Sequence, residues 1–306
     1  NTWRDGENGS DDNYYANLQS GINLGAWRLR NYSTWNYDED NGSHWDSVNT
    51  YLQRDIQRLK GQLTLGDSYT PSDIFDSVQF RGAQLASDDN MLPDSLRGFA
   101  PVIRGIAQSN AQVTIKQNGY IIYQSYVAPG AFTISDLYPT SGSGDLEVTI
   151  KEADGSERTF IQPFSAVPIM QREGRLKYAI TAGKYRSGND DSDEPQFGQV
   201  TAIYGLPHAI TVYGGTLYSE DYQSGAAGLG FGLGELGSLS ADITAAHTTL
   251  NNDETHNGPS YRVQYSKDFQ TTDTSFTLAA YRYSTAGFYT FQEANDLRAD
   301  DVTAGR

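Results

Sequence analysis

One stretch of the chain, Gly232-x-Gly234-x-x-Gly237, matches a nucleotide-binding pattern. A dinucleotide site needs that pattern between a strand and a helix, so that the pyrophosphate rests on the helix N-terminus. Here the residues on both sides alternate as strands do, and the glycines read as a tight turn. The 4 histidines (His44, His208, His247, His256) are scattered, and neither HExxH nor GxSxG occurs. With 0 cysteines, thiolate metal sites and disulfide scaffolds are excluded. A loop-edge hydrolase using His256 and the carboxylates at 190–194 is conceivable, but a solvated surface histidine is the simpler account. The expectation is therefore no enzyme, no metal and no cofactor.

Acidic residues gather in Asp38-Glu39-Asp40 and in Asp190-Asp191 with Asp193-Glu194, which read as solvated loop tips. A net charge of -16 argues against nucleic acid, whose phosphates need a basic surface. Asp67, Asp73 and Asp76, with Phe75 and the pair Phe80-Arg81, fall instead in one long hairpin between alternating segments.

Those segments are the elements that must position everything else. The chain has 306 residues with 31 Gly and 21 Tyr, and a mean hydropathy of -0.58, low for a thick-cored soluble enzyme. Aromatic residues at 12% argue against disorder. No run of about 18 apolar residues occurs, so no transmembrane helix is expected and no signal peptide is read in the chain as given. Polar strands rich in Tyr and Gly suit a barrel wall between lipid and water.

Period-two alternation gives strands near 14–24, 26–38, 46–57, 61–67 and 78–85. It resumes near 175–186, 196–206, 209–218, 226–235, 238–250, 259–269 and 273–286. Tight turns near 24–25, 58–61, 206–209, 235–238 and 270–273 alternate with longer loops near 38–46, 67–77, 187–196, 219–225 and 250–259. Outer-membrane barrels alternate short periplasmic turns with long extracellular loops in this way. The twelve strands begin in a loop at residues 1–12 and end in a polar tail, so the chain reads as part of a larger barrel. One strand face carries Arg28, Arg30, Gln53, Lys177, Arg262 and Gln264, expected to line a wet lumen.

Between the two strand sets, about 105–165 differs. Asn118-Gly119 is a type I′ hairpin signal, Asp154-Gly155 begins another, and Val113, Ile115, Leu146, Val148 and Ile150 alternate inward. These features predict a small immunoglobulin-like β-sandwich inserted where a short periplasmic turn is due. The division is 1–103 barrel, 104–167 inserted sandwich and 168–306 barrel. The fold class is thus all-β, an antiparallel transmembrane β-barrel with an inserted sandwich. Pro93, Gly98, Pro101, Gly105, Pro163 and Pro168 punctuate the connectors and suit hinges for rigid-body movement, against the alternative of static linkers.

The segments RGAQLASDDNMLPDSLRGFAPVIRGIA, VTIKQNGYIIY, SGDLEVTIKEADG, VPIMQREG and YRYSTAGFYTFQEA resemble the outer-membrane fimbrial usher family, in particular its type 1 pilus branch. The resemblance runs along essentially the whole chain. It implies a translocation barrel of about twenty-four strands with a plug between the sixth and seventh, of which about half the strands are present here, without the family's periplasmic domains. It also implies that the Asp67–Arg81 hairpin folds into the lumen and holds the plug, where residues alone allow an ordinary extracellular loop. The implied partners are pilus subunits, periplasmic chaperone–subunit complexes and the outer-membrane bilayer, with a homodimer among the assemblies allowed. The resemblance further implies that subunits progress by their own folding and strand exchange, without nucleotide. A passive plugged porin for small solutes is the alternative function.

Overall fold

Alternation along a strand sends successive side chains to opposite faces, so strand pairing decides which residues share a face. The computed structural model describes residues 14–38, 42–93, 96–139, 144–187, 194–251, 253–269 and 274–304. Five strands come first: β1 (Tyr14–Leu24), β2 (Trp27–Asp38), β3 (Gly42–Ile56), β4 (Gly61–Tyr69) and β5 (Gln79–Ser87). The insert contributes β6 (Ile103–Ala107), β7 (Ala111–Gln117), β8 (Tyr120–Val127), β9 (Gly130–Ile134), β10 (Leu146–Lys151) and β11 (Glu157–Gln162). Seven more follow: β12 (Leu176–Tyr185), β13 (Gln196–Leu206), β14 (Ile210–Ser219), β15 (Tyr222–Gly232), β16 (Ser238–Thr249), β17 (Thr255–Phe269) and β18 (Thr274–Ser284). A helix, α1 (Phe291–Ala304), ends the described chain.

The outer strands form one 12-stranded antiparallel sheet in chain order, and β5 pairs directly with β12 across the insert. Among the described residues β1 and β18 are its two edges. Among the described residues five strands precede the insert, where the family resemblance implies six. Register gives the sheet two unlike faces. Arg28, Gln53, Thr64, Gln84, Thr181 and Gln199 stand opposite one another from β2 to β13, a polar row on one face. On the other, Ile243, Tyr261 and Tyr283 form a row across β16, β17 and β18, and Ile180 faces Val200, all with more than two-fifths of their surface uncovered. Polar residues sit on the inward, partly covered face and apolar ones on the bare face. That is a wall built for a lipid exterior.

The insert reverses this sense. β11-β10-β7-β8 make a four-stranded sheet and β6-β9 a second pair. Their inner side chains, among them Ile103, Val113, Ile115, Leu137, Leu146 and Val148, are fully buried in one apolar cluster. Asn118 and Gly119 both take positive φ (52° and 81°), as a type I′ turn requires, and so set the β7–β8 register. At this size the core is thin. A buried carboxylate stiffens it: Glu152 accepts from Ser109 Oγ (2.6 Å), Ser109 N (2.8 Å), Gln108 N (3.1 Å) and Arg158 Nη2 (3.1 Å). The Ser109 and Gln108 donors favour the ionised form, holding its pKa down at about 2.

Four expectations are corrected. The loop expected at 219–225 shrinks to a two-residue turn, Glu220-Asp221, because β15 starts at Tyr222; Gly225-Ala226 in mid-strand had masked its alternation. The loops at 38–46 and 250–259 also shrink, leaving 39–41, which lies outside the described residues, and 250–254. The loop at 70–78 is long, and most of the one at 186–195 lies outside the described residues. The polar tail is instead α1, opened by a capping box in which Thr290 N donates to Glu293 Oε2 (2.8 Å) and Glu293 N to Thr290 Oγ1 (3.2 Å). The expected loop at residues 1–12, the carboxylates Asp190, Asp191 and Asp193, and the turn at 270–273 lie outside the described residues.

Candidate functional site

At the root of the hairpin between β4 and β5, β4 parts from β3 at Gly66, while β5 stays paired with β12 as far as Phe80. β3 pairs with β4 only as far as Tyr51 opposite Gly66, whose φ is +114° and whose missing Cβ would stand 2.3 Å from Thr50 O. Only glycine fits both the conformation and the space. Beyond it Thr50 N has lost its ladder partner, and the Asp67 carboxylate accepts that hydrogen (3.1 Å). Asp67 is buried and also receives Arg81 Nε (2.7 Å), Arg81 Nη2 (3.1 Å) and Arg186 Nη1 (3.1 Å). It is the root of the hairpin. Freed from β3, the hairpin closes its apex with Thr70 Oγ1 accepting from Val78 N (2.9 Å) and Ser77 Oγ donating to Thr70 O (2.5 Å).

The apex then crosses the inward face. Ile74, Phe75 and Val78 bury in a cluster with Phe80, Phe197, Leu217, Phe288 and Phe291. Phe80 is fully covered and meets Phe197 edge-on at 6.3 Å. The polar contacts fall on a second row of facing residues: Lys177, Ile203, Tyr213, Gly228, Asp242, Arg262 and Arg282, from β12 to β18. Asp73 Oδ1 accepts from Lys177 Nζ (3.0 Å) and Asp73 O from Arg262 Nη2 (3.1 Å). Asp76 lies 3.3 Å from Arg282 Nη1. Gly228 makes the row continuous, because a Cβ there would stand 2.4 Å from the Tyr213 ring, which passes over it so that Tyr213 Oη donates to Asp242 Oδ2 (2.9 Å). Arg262 Nε donates to the same oxygen (2.9 Å).

Two of the six expected lining residues, Lys177 and Arg262, thus meet the hairpin. The other four share the face without touching it. Arg28 pairs with Asp55 (2.6 Å), Arg30 donates to Asn23 Oδ1 (3.0 Å), Gln53 stands opposite Arg28, and Gln264 lies 3.5 Å from Ser240 Oγ. Helix α1 closes the apolar cluster from the far end, where Phe291 sits 5.3 Å from the rings of Tyr185 and Tyr222.

The connectors differ from each other. Pro93 accepts at its carbonyl from Leu96 N (2.9 Å), Gly98 takes φ +64° in open space, and Pro101 is part-covered. Gly105 is no connector residue: it lies within β6 beneath the Phe132 ring, where a Cβ would meet a ring carbon at 2.5 Å. Pro163 follows β11 directly, and Pro168 sits in a turn closed by Met170 N donating to Val167 O (3.1 Å). Val167, Ile169 and Met170 around it are buried. This second connector ends in Arg172, itself buried, whose guanidinium donates to the carbonyls of Ser135 (3.3 Å), Arg97 (3.1 Å) and Leu137. Burial, with Arg175 beside it, pulls its pKa down to about 10.

Sequence reasoning missed Arg172, Glu152, the Tyr213–Asp242 pair and α1. Only α1 carried a local signal, the Thr290-x-x-Glu293 spacing. Of the residues named for a loop-edge hydrolase, Asp190, Asp191 and Asp193 lie outside the described residues. His256 stands 3.5 Å from Glu254 and edge-on to Tyr289, and among the described residues no His, Cys, Asp and Glu cluster could hold a metal. The glycine pattern at 232–237 is the β15–β16 turn.

The family model described as outer membrane usher protein matches residues 15–304. The chain is 61% identical to the outer membrane usher protein LpfC of Salmonella typhimurium over 95% of its own length and 34% of that protein's. It is 55% identical to the outer membrane usher protein FimD of Escherichia coli K12, again over 95% of this chain and 34% of that one. Among solved structures, the P pilus usher (PapC) translocation pore matches with a TM-score of 0.59 at 35% identity, covering 95% of this chain and 60% of that one. A P pilus tip assembly intermediate, PapC-PapD-PapK-PapG of E. coli, matches with a TM-score of 0.70 at 37% identity, over 95% and 37% of the two chains. The chain spans about a third of the length of the curated relatives it matches. Sequence and fold agree, and the chain belongs to the outer membrane usher family.

Proposed function

We propose that this chain forms part of the outer-membrane pore through which pilus subunits, delivered by a periplasmic chaperone, are assembled and secreted, and that the unit at 104–167 is its movable plug. The observation that carries the reading is the hairpin at 67–81, which parts from β3 at Gly66 and sends its apex across the inward face to reach Lys177, Arg262 and Arg282. A loop serving only the outside would have no reason to fold inward. The inward wall is largely polar, and the hairpin and α1 cover its apolar cluster, so passing folded protein meets little apolar surface to hold it. The hairpin acts as the latch and the two connectors as the tether. The relatives' pore and assembly complex support the same reading.

The test is to delete 104–167 from the full-length protein and record conductance in planar bilayers. Deletion is expected to raise it several-fold over the intact protein, and unchanged conductance would count against the plug. Steady conductance with the insert in place, and no retention of chaperone–subunit complexes, would turn the reading to a passive porin.

A further inference from the structure

At the short-turn end of the wall, a cavity of about 490 Å³ opens beside the β3–β4 turn. That is the size of a small-molecule site. One side is apolar: Leu59 on the turn and Leu176, on the same bare face of β12 as Ile180, are each about half exposed. Tyr178 joins them and donates its hydroxyl to Leu59 O (2.9 Å). The other side is cationic. Arg58 and Lys60 are exposed on the turn, and Arg172 and Arg175 come from the second connector, against two carboxylates, Asp88 and Glu173. In a chain of net charge -16 this local excess of cations is unusual.

Arg172 is the second observation. It is only 6% exposed, the groups it donates to are neutral carbonyls, and its Nε has no hydrogen-bond partner among the described residues. A buried guanidinium with no carboxylate bonded to it, only Asp136 acting through space, is costly, and guanidinium is the group best matched to a phosphate. Arg175, by contrast, is already paired with Asp89.

We propose that this cavity binds an anionic phospholipid of the adjoining leaflet, its phosphate against Arg58, Lys60 and Arg172 and its acyl chains along Leu59 and Leu176. The inference rests on the membrane reading of the wall. Because Arg172 also clamps the carbonyls of Ser135 and Leu137 in the insert, the lipid neutralises the residue that joins insert to wall.

The experiment places the full-length protein in dioleoyl-phosphatidylcholine nanodiscs doped with dioleoyl-phosphatidylglycerol and follows lipid retention by native mass spectrometry. Phosphatidylglycerol should stay on the wild type in preference to phosphatidylcholine. Arg58→Ala/Lys60→Ala, which leaves the Arg172 clamp intact, should weaken it roughly tenfold to thirtyfold, since each such cation is worth about fivefold. Arg172→Gln should weaken it as well, in protein whose wall remains folded by heat-modifiable mobility. Equal retention by wild type and double variant would overturn the site, as would no preference over phosphatidylcholine. Displacement by millimolar inorganic phosphate would also overturn it, in favour of a free-anion site. Protein that does not enter the discs fails the membrane reading; protein that enters but retains no phosphatidylglycerol fails this inference alone.

Discussion

The wall and the insert use the same period of two with opposite sense. In β12 and β13 the apolar pair Ile180 and Val200 points to bare surface while Thr181 and Gln199 are buried. In β7 and β10 the apolar pair Ile115 and Val148 is fully buried. Alternation alone therefore does not say where the core is. What decides it is the solvent on the far side, lipid for one and water for the other. The wall gains little from apolar contact with lipid, which is as apolar as the side chains themselves, whereas the insert depends on expelling water.

The comparison breaks most visibly with a pair of truncations. Ile115→Ala should cost the insert about 3 kcal/mol, because it loses both transfer energy and packing. Ile180→Ala on the wall should cost less than about 1 kcal/mol. Pulse proteolysis of the full-length protein in detergent checks both, with cleavage inside 104–167 expected only for the first. Equal effects would mean that the two regions do not differ in solvent.

A smaller effect is expected where the two regimes meet. Asp67→Ala removes the acceptor for Thr50 N at a buried position and should cost about 2 kcal/mol, the penalty of an unpaired buried donor. Arg81 is well exposed, so losing its pairing adds little. Protease cuts near 67–81 and more frequent opening events in bilayer recordings should follow. Arg81→Ala should do much less than Asp67→Ala; the reverse order would show that charge pairing, and not the vacated ladder position, holds the root.

The mildest test is pH. Glu152 has a folded pKa of about 2 against an ordinary 4.5, so the unfolded chain binds the proton first. Its contribution to the insert is complete above about 4.5 and is lost as pH falls from there to about 2. The urea midpoint of the insert should fall over that window, and Glu152→Gln should flatten the dependence.

Most of the architecture was legible because it is written in nearest-neighbour pattern. Twelve wall strands, the insert's place at a turn and the Asn118-Gly119 hairpin follow from alternation and turn chemistry, which act within a few residues. The apex contacts do not. Asp73 meets Lys177 and Asp76 meets Arg282 only because the register of β12 to β18 lines up seven residues that are far apart in sequence. Asp67 looked like one of three equivalent acids, but its role depends on Gly66 ending the β3–β4 ladder one residue earlier. Gly105 looked like a hinge because a glycine serves equally to flex a chain or to admit the Phe132 ring, and only the fold separates the two uses.

The two connectors give the insert an unequal suspension. Residues 164–172 are buried almost throughout, while the connector spanning 88–102 is held at its start by arginine clips, with Arg97 donating to Asp89 O and Leu92 O and Arg175 to Asp89, and by apolar contact only at Phe99 and Ala100 among its described residues. Clips of that kind release more readily than buried apolar chain. Once loose, a strap of that length reaches about 50 Å at roughly 3.3–3.6 Å per residue. Displacement would then be a swing about one fixed post, as of a door and not a cork, and the arc it sweeps is set by the strap.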